Sequence, residues 1–235
     1  MTRMTELRQD RVSAAWSAPA PWAAALWDLD GTLVDTEPYW IASEYALAAK
    51  YGGTWSDEHA HHLVGWDLLD SASYLREHAG IDREPAEIVE ELIDSVLTLL
   101  RQRVPFRPGA VELLAAMGAA GWRIGLVTMS YARFLDPILA QLPPGTFEAV
   151  VTGDRVSRGK PHPEPYLTAA RLLQVAADDC LAIEDSDTGA RSAVAAGCTV
   201  LVVPNHVPVP SGERRQFAAS LTEVDLDRLV SLRVR

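Results

Sequence analysis

The sequence predicts an α/β fold: a doubly wound parallel sheet with a small all-helical cap domain inserted after its first strand. Three observations carry this. Apolar residues recur in short continuous blocks, as expected for strands buried on both faces of a parallel sheet. Helical patterns lie between the blocks, giving the strand–helix alternation of that architecture. One long interval, from about residue 37 to 105, is helical throughout and holds no strand pattern. At 235 residues the chain is long enough for a core domain plus a smaller one.

The apolar blocks are 23–27, 123–128, 148–152, 180–183 and 199–203. Segment 109–120 places Val111, Leu114, Ala115 and Gly118 at helical spacing, with Gly121 as its stop. Segment 165–175 carries Leu167, Ala170, Arg171 and Gln174 on one stripe and its apolar residues on another. Segment 188–196 is alanine-rich and ends at Gly197. Inside the insertion the helical stretches are 39–51, 58–63, 68–78 and 85–103, bounded by Pro38 and by the turn residues of 105–109. The expected organisation is a loose leader over 1–21, a core of 22–37 and 106–235, and a cap of 38–105.

Composition narrows the function classes. With 48% hydrophobic and 23% charged residues the chain sits in the globular range, which argues against wholesale disorder. A net charge of -11 makes it a poor binder of nucleic acid or anionic membrane, both of which need a basic face. The N-terminal stretch lacks the apolar run of a signal peptide, and no segment is apolar enough to span a bilayer. Cys180 and Cys198 sit in apolar stretches without zinc-type spacing and read as reduced thiols. A soluble, cytoplasmic monomer is the expectation.

The chemistry lies at strand ends, where open α/β sheets bind ligands. The first block runs into Asp28-Leu29-Asp30-Gly31. Two carboxylates two residues apart on an extended chain repel each other and call for a cation. Gly31 permits the turn that follows. Taken alone, this tetrapeptide reads equally well as a turn or a helix cap. A second acidic cluster, Glu184-Asp185-Ser186-Asp187, follows another block and precedes a helix. Two such clusters on one sheet edge build an oxygen-ligand site for Mg2+. Asp187, by contrast, reads better as a helix cap. Thr128-Met129-Ser130 offers a hydroxyl, backbone N–H groups and a helix start, all suited to an anion. Lys160, in a proline-stiffened loop, is the candidate local cation.

Jointly, Asp28 to Pro38, then Thr128, then Gly159 to Tyr166, then Ile183 to Gly189 closely resemble the four motifs of the haloacid dehalogenase superfamily, in order, over about residues 23–204. The branch resembled holds β-phosphoglucomutase and sugar-phosphate phosphatases. The resemblance implies a Mg2+-dependent phosphatase acting on a small-molecule phosphate ester. It makes Asp28 the nucleophile that forms an aspartyl-phosphate, Asp30 the acid and base, Thr128 the phosphate holder and Lys160 the neutralising charge. It puts Mg2+ on Asp28, Asp30 (through its carbonyl), Asp185, and Glu184 directly or through water.

Asp30 argues against dehalogenation, where an aromatic residue takes that place. Met129 departs from the Asn or Ala more common after the motif threonine, which puts any side-chain role there in doubt, while Met129 and Ser130 remain in the expected substrate-binding set. The stretch from His61 to Asp67 resembles the cap loop over the site, making Gly65 and Trp66 substrate-binding candidates. Trp66 suits stacking on a sugar ring and packing of cap against core equally well. No arginine for a second phosphate lies in that loop, which favours a phosphatase over the alternative, a phosphomutase. A silent binding module is a third reading, opposed by the complete set of acidic and basic motif residues. His59, His61 and His62 read as a polar helix end rather than a metal site.

Overall fold

A computed structural model describes residues 21–63, 66 and 68–233. The expected leader up to residue 20 and the cap-loop candidate Gly65 lie outside these residues. Six strands form one fully parallel sheet: β1 (Ala24–Trp27), β2 (Ile124–Val127), β3 (Ala149–Val151), β4 (Cys180–Glu184), β5 (Thr199–Val202) and β6 (Arg215–Phe217), in the order β3-β2-β1-β4-β5-β6. β1 sits centrally, with every residue buried, because Ala24-Ala25-Leu26-Trp27 presents apolar side chains to both faces. Trp22, just before it, is also buried and donates its indole N–H to Leu229 O at 2.9 Å.

Between β1 and β2 the chain makes α1 (Glu37–Lys50), α2 (Asp57–His62), α3 (Leu68–His78), α4 (Pro85–Gln102) and α5 (Ala110–Ala119). The first four are the helical insertion. Ser56 caps α2 through its side chain. α4 starts with Pro at its first position and reciprocal Glu84–Glu87 contacts, and buries Ile88, Leu92, Val96 and Leu100 on one stripe. His59, expected at a polar helix end, stacks on Trp55 at 4.9 Å and bonds Tyr74 Oη through Nδ1 at 2.9 Å. Trp66 is exposed and lies edge-on to Tyr74 at 5.8 Å. α1 and α4 also reach the core, through a Trp40–Phe134 stack and a Glu90–Arg133 ion pair at 2.7 Å.

The remaining helices are α6 (Ala132–Leu139), α7 (Glu164–Leu172), α8 (Asp187–Ala196) and α9 (Leu226–Ser231). The structure corrects several sequence expectations. The helix expected to start at 128–130 begins at Ala132, because Thr128 stays in the sheet through Thr128 N to Val151 O at 2.9 Å. α7 ends at Leu172, short of 175, where Gln174 turns left-handed at φ 54°. Its buried face is Pro165, Tyr166, Ala169 and Ala170, while Leu167 is 45% exposed and lies with Arg171 and Gln174 on the outer side. β6 escaped notice because Arg-Gln-Phe lacks an apolar block, as an edge strand can.

Candidate active site

β1, β2 and β4 end side by side, so the segments after Trp27, Val127 and Ile183 meet at one sheet edge. Lys160 reaches into this edge from the loop before α7. Its Nζ donates to Asp28 Oδ1 at 2.6 Å, Glu184 Oε1 at 2.6 Å and Val127 O at 3.0 Å. The side chains of Lys160 and Asp28 are nearly buried and that of Glu184 wholly so. An ammonium there needs its three donors matched, and three acceptors match them.

Asp30 faces the other way. Its Oδ1 accepts from Thr36 Oγ1 at 2.8 Å, and its Oδ2 from Thr128 Oγ1 at 3.1 Å and Ser130 Oγ at 2.6 Å. Thr128 Oγ1 also accepts the Ser130 N–H at 2.9 Å, which shapes the turn before α6. Met129 turns its side chain under the lysine loop: its sulfur accepts the Lys160 N–H at 3.2 Å. A Cβ on Gly159 would come within 2.8 Å of that sulfur, so a larger residue there would require the methionine side chain to shift.

The carboxylates of Asp28, Glu184 and Asp185 offer oxygens within 4.8 Å of one another, a combination suited to one hard cation. Two observations fit a metal here. Asp28 Oδ2 is buried and accepts no hydrogen bond among the described residues. Burial, then the charge of Glu184, push the pKa of Asp28 up to about 7 against the pull of Lys160, and burial, then the charges of Asp28 and Glu184, push that of Asp185 up to about 8. A divalent ion would remove that strain by favouring the charged forms. For Lys160, burial opposes the charge, but Asp28 and Glu184 outweigh it and hold the pKa above the ordinary lysine value.

These shifts carry a pH dependence. In the metal-free protein both aspartates titrate higher when folded than unfolded, so their contribution to stability is complete below about pH 4 and is lost as pH rises through 7 and 8. Added Mg2+ is therefore expected to raise the melting temperature more at pH 8 than at pH 5, measured by calorimetry at both.

Gly31 packs beside the cluster with φ 84°, and a Cβ there would lie 2.0 Å from Asp185 Oδ2. Gly31→Ala is expected to lower stability by at least about 1–3 kcal/mol from backbone strain alone and to displace Asp185. Denaturant melts and Mn2+ binding would read the two effects.

Ser186, rather than Asp187, caps α8: its Oγ accepts the Gly189 N–H at 3.1 Å. Asp187, read from sequence as a helix cap, instead pairs with Arg215 at 2.7 Å. The serine won because its extended backbone puts its side chain over the open helix end.

Sequence reasoning missed two residues. Tyr166 Oη donates to Glu184 Oε1 at 2.7 Å from a fully buried ring. Arg107 donates to the carbonyls of Gly31 at 2.6 Å, Val203 at 2.9 Å and Pro204 at 3.3 Å. Tyr166 stands in the quoted lysine motif and could have been marked there. Arg107 had no local signal, because its partners lie 76 to 97 residues away.

Comparison with known proteins places this geometry. Residues 25–203 match the family model described as haloacid dehalogenase-like hydrolase. Hexitol phosphatase A of Escherichia coli (strain K12) is 33% identical over 206 residues, covering 86% of this chain and 88% of that protein. Phosphoglycolate phosphatase of Salmonella typhi is 34% identical over 194 residues, covering 73% of this chain and 77% of the relative. Among solved structures, that of CbbY from Rhodobacter sphaeroides in complex with phosphate aligns with a TM-score of 0.75 and 25% identity, covering 86% of this chain and 96% of that one. The match to the family model covers well over half the chain, and its relatives are named as phosphatases: the chain belongs to the haloacid dehalogenase-like hydrolase family, as an enzyme of its phosphatase kind.

Proposed function

We propose that the protein hydrolyses a small phosphate monoester of the sugar-phosphate type, with Mg2+, through an aspartyl-phosphate on Asp28. The observation that carries this reading is the state of the Asp28 carboxylate. One oxygen is held by Lys160, and the other is buried and bare beside Asp185. Asp28 and Asp185, with the backbone carbonyl of Asp30, would hold Mg2+. When bound, the ion supplies charge that lets an anionic ester approach an anionic nucleophile.

Asp28 attacks phosphorus and the ester P–O bond breaks, the leaving alcohol taking a proton from Asp30. Water then attacks phosphorus, giving its proton to Asp30, and the aspartyl P–O bond breaks to restore Asp28. Three hydroxyls hold Asp30 through both half-reactions, because Ser and Thr can either donate or accept as its proton comes and goes. Lys160 offsets charge on the transferring group. With its thioether spent on Lys160, Met129 would touch substrate through its backbone. Ser130 and Thr128 would line the phosphate side, and Trp66 the cap side.

The test is a panel of metabolite esters, hexitol phosphates and phosphoglycolate among them, with and without Mg2+. The expected result is release of inorganic phosphate only with the metal. Turnover that requires a bisphosphate primer and releases little phosphate would establish the phosphomutase alternative instead. A purified protein that cleaves no ester would favour the silent binding module.

A further inference from the structure

Glu184 is more fully engaged than a metal ligand should be. Its Oε1 accepts from Lys160 Nζ at 2.6 Å and from Tyr166 Oη at 2.7 Å. Its Oε2 lies 3.2 Å from Ser186 Oγ, 3.2 Å from Asp185 N and 3.5 Å from Ser186 N. A carboxylate offers about four lone-pair positions, and these donors take them. The first turn of α8 closes the remaining side: a Cβ on Gly189 would lie 1.8 Å from Oε1 and 2.1 Å from Oε2. Asp28 Oδ2 is, by contrast, bare.

We propose that Tyr166 is a positioning residue: its hydroxyl fixes Glu184, and Glu184 in turn fixes the Lys160 ammonium on Asp28, leaving side-chain ligation of the metal to Asp28 and Asp185. This rests on the phosphatase reading of the site. Lysine carries a point charge on a flexible four-carbon stem, so its location is set by its acceptors. Of its three acceptors, Val127 O is backbone and Asp28 is the reacting group, which leaves Glu184 as the one side chain free to serve as its anchor. The Tyr166 ring reinforces the arrangement, with Nζ 5.1 Å from its centroid. Any buried tyrosine hydroxyl needs a partner, so the choice of partner is what distinguishes this one. Here the hydroxyl and the ring face meet the two members of one buried ion pair.

Tyr166→Phe keeps the ring and changes no charge. Three measurements on the full chain read it: Mn2+ affinity by titration calorimetry, beryllofluoride binding in the presence of Mg2+ by 19F NMR, and kcat and KM with p-nitrophenyl phosphate. The expected result is Mn2+ affinity and KM within about 2-fold of wild type, with kcat lower by about 10-fold and beryllofluoride binding weakened in parallel. A melting temperature within about 5 °C of wild type accompanies it. Unchanged kcat and beryllofluoride affinity would overturn the proposal, reducing Tyr166 to core filling. So would a loss of Mn2+ affinity as large as the loss of kcat, since Glu184 would then be a ligand. Failure of the wild-type protein itself to bind beryllofluoride would instead remove the phosphatase reading, and the role of Tyr166 with it.

Discussion

Asp28→Asn is expected to lower turnover by about 10^3-fold or more, because an amide neither attacks phosphorus nor carries the charge that holds Lys160. Fold should survive the change. The side chain keeps its shape, and the substitution removes a buried carboxylate that burial and the Glu184 charge disfavour and whose own charge pushes Asp185 upward. The measurement is single-turnover hydrolysis under saturating Mg2+, paired with a thermal melt. Near-native turnover in this variant would eliminate Asp28 as the nucleophile, and no adjustment of the remaining site would rescue the covalent route.

Lys160→Met is expected to remove activity and stability together. Glu184 is wholly buried and Asp28 nearly so, and the ammonium is the cation both share. Breaking a buried pair by removing one partner leaves uncompensated charge, at about 3–5 kcal/mol. For a chain of this size that corresponds to a melting temperature lower by roughly 6–20 °C. The contrast with Asp28→Asn is diagnostic: both abolish turnover, but the lysine variant alone unfolds early. Mg2+ should recover part of the lost stability by offsetting Asp28 and Asp185, which a melt with and without the ion would show.

The parts of the molecule that the sequence displayed are those with a local signature. Five strands announced themselves as apolar blocks because nearly all their residues are buried, the outward-facing Val150 of edge strand β3 apart. The insertion was visible as helical stretches that became α1 to α4, bounded by Pro38 and by the turn residues of 105–109. Asp28, Asp30 and Asp185 could be singled out because each ends or follows a strand, and Lys160 because it stands in a proline-stiffened loop; the structure brings all four to one edge. What stayed hidden depends on long-range meetings. Ser130 turns out to hold Asp30, and the side chain of Met129 to support Lys160, from neighbours 100 and 31 residues away. The start of α6 was misplaced because a turn closed by Thr128 Oγ1 mimics a helix entry. Tyr166 stood in the lysine motif, but nothing local shows that its hydroxyl meets Glu184, 18 residues further on.

Arg107 has a consequence for anyone who wishes to recombine this enzyme. It stands on the segment by which the chain returns from the helical insertion, yet its guanidinium ties the turn after Asp30 to the loop after β5. A graft that exchanged helices between relatives and cut after this residue would carry away the clasp of the catalytic turn along with the cap. The seam for such chimeras therefore lies before Arg107, so that the arginine stays with the sheet and with the turn after Asp30 that it holds.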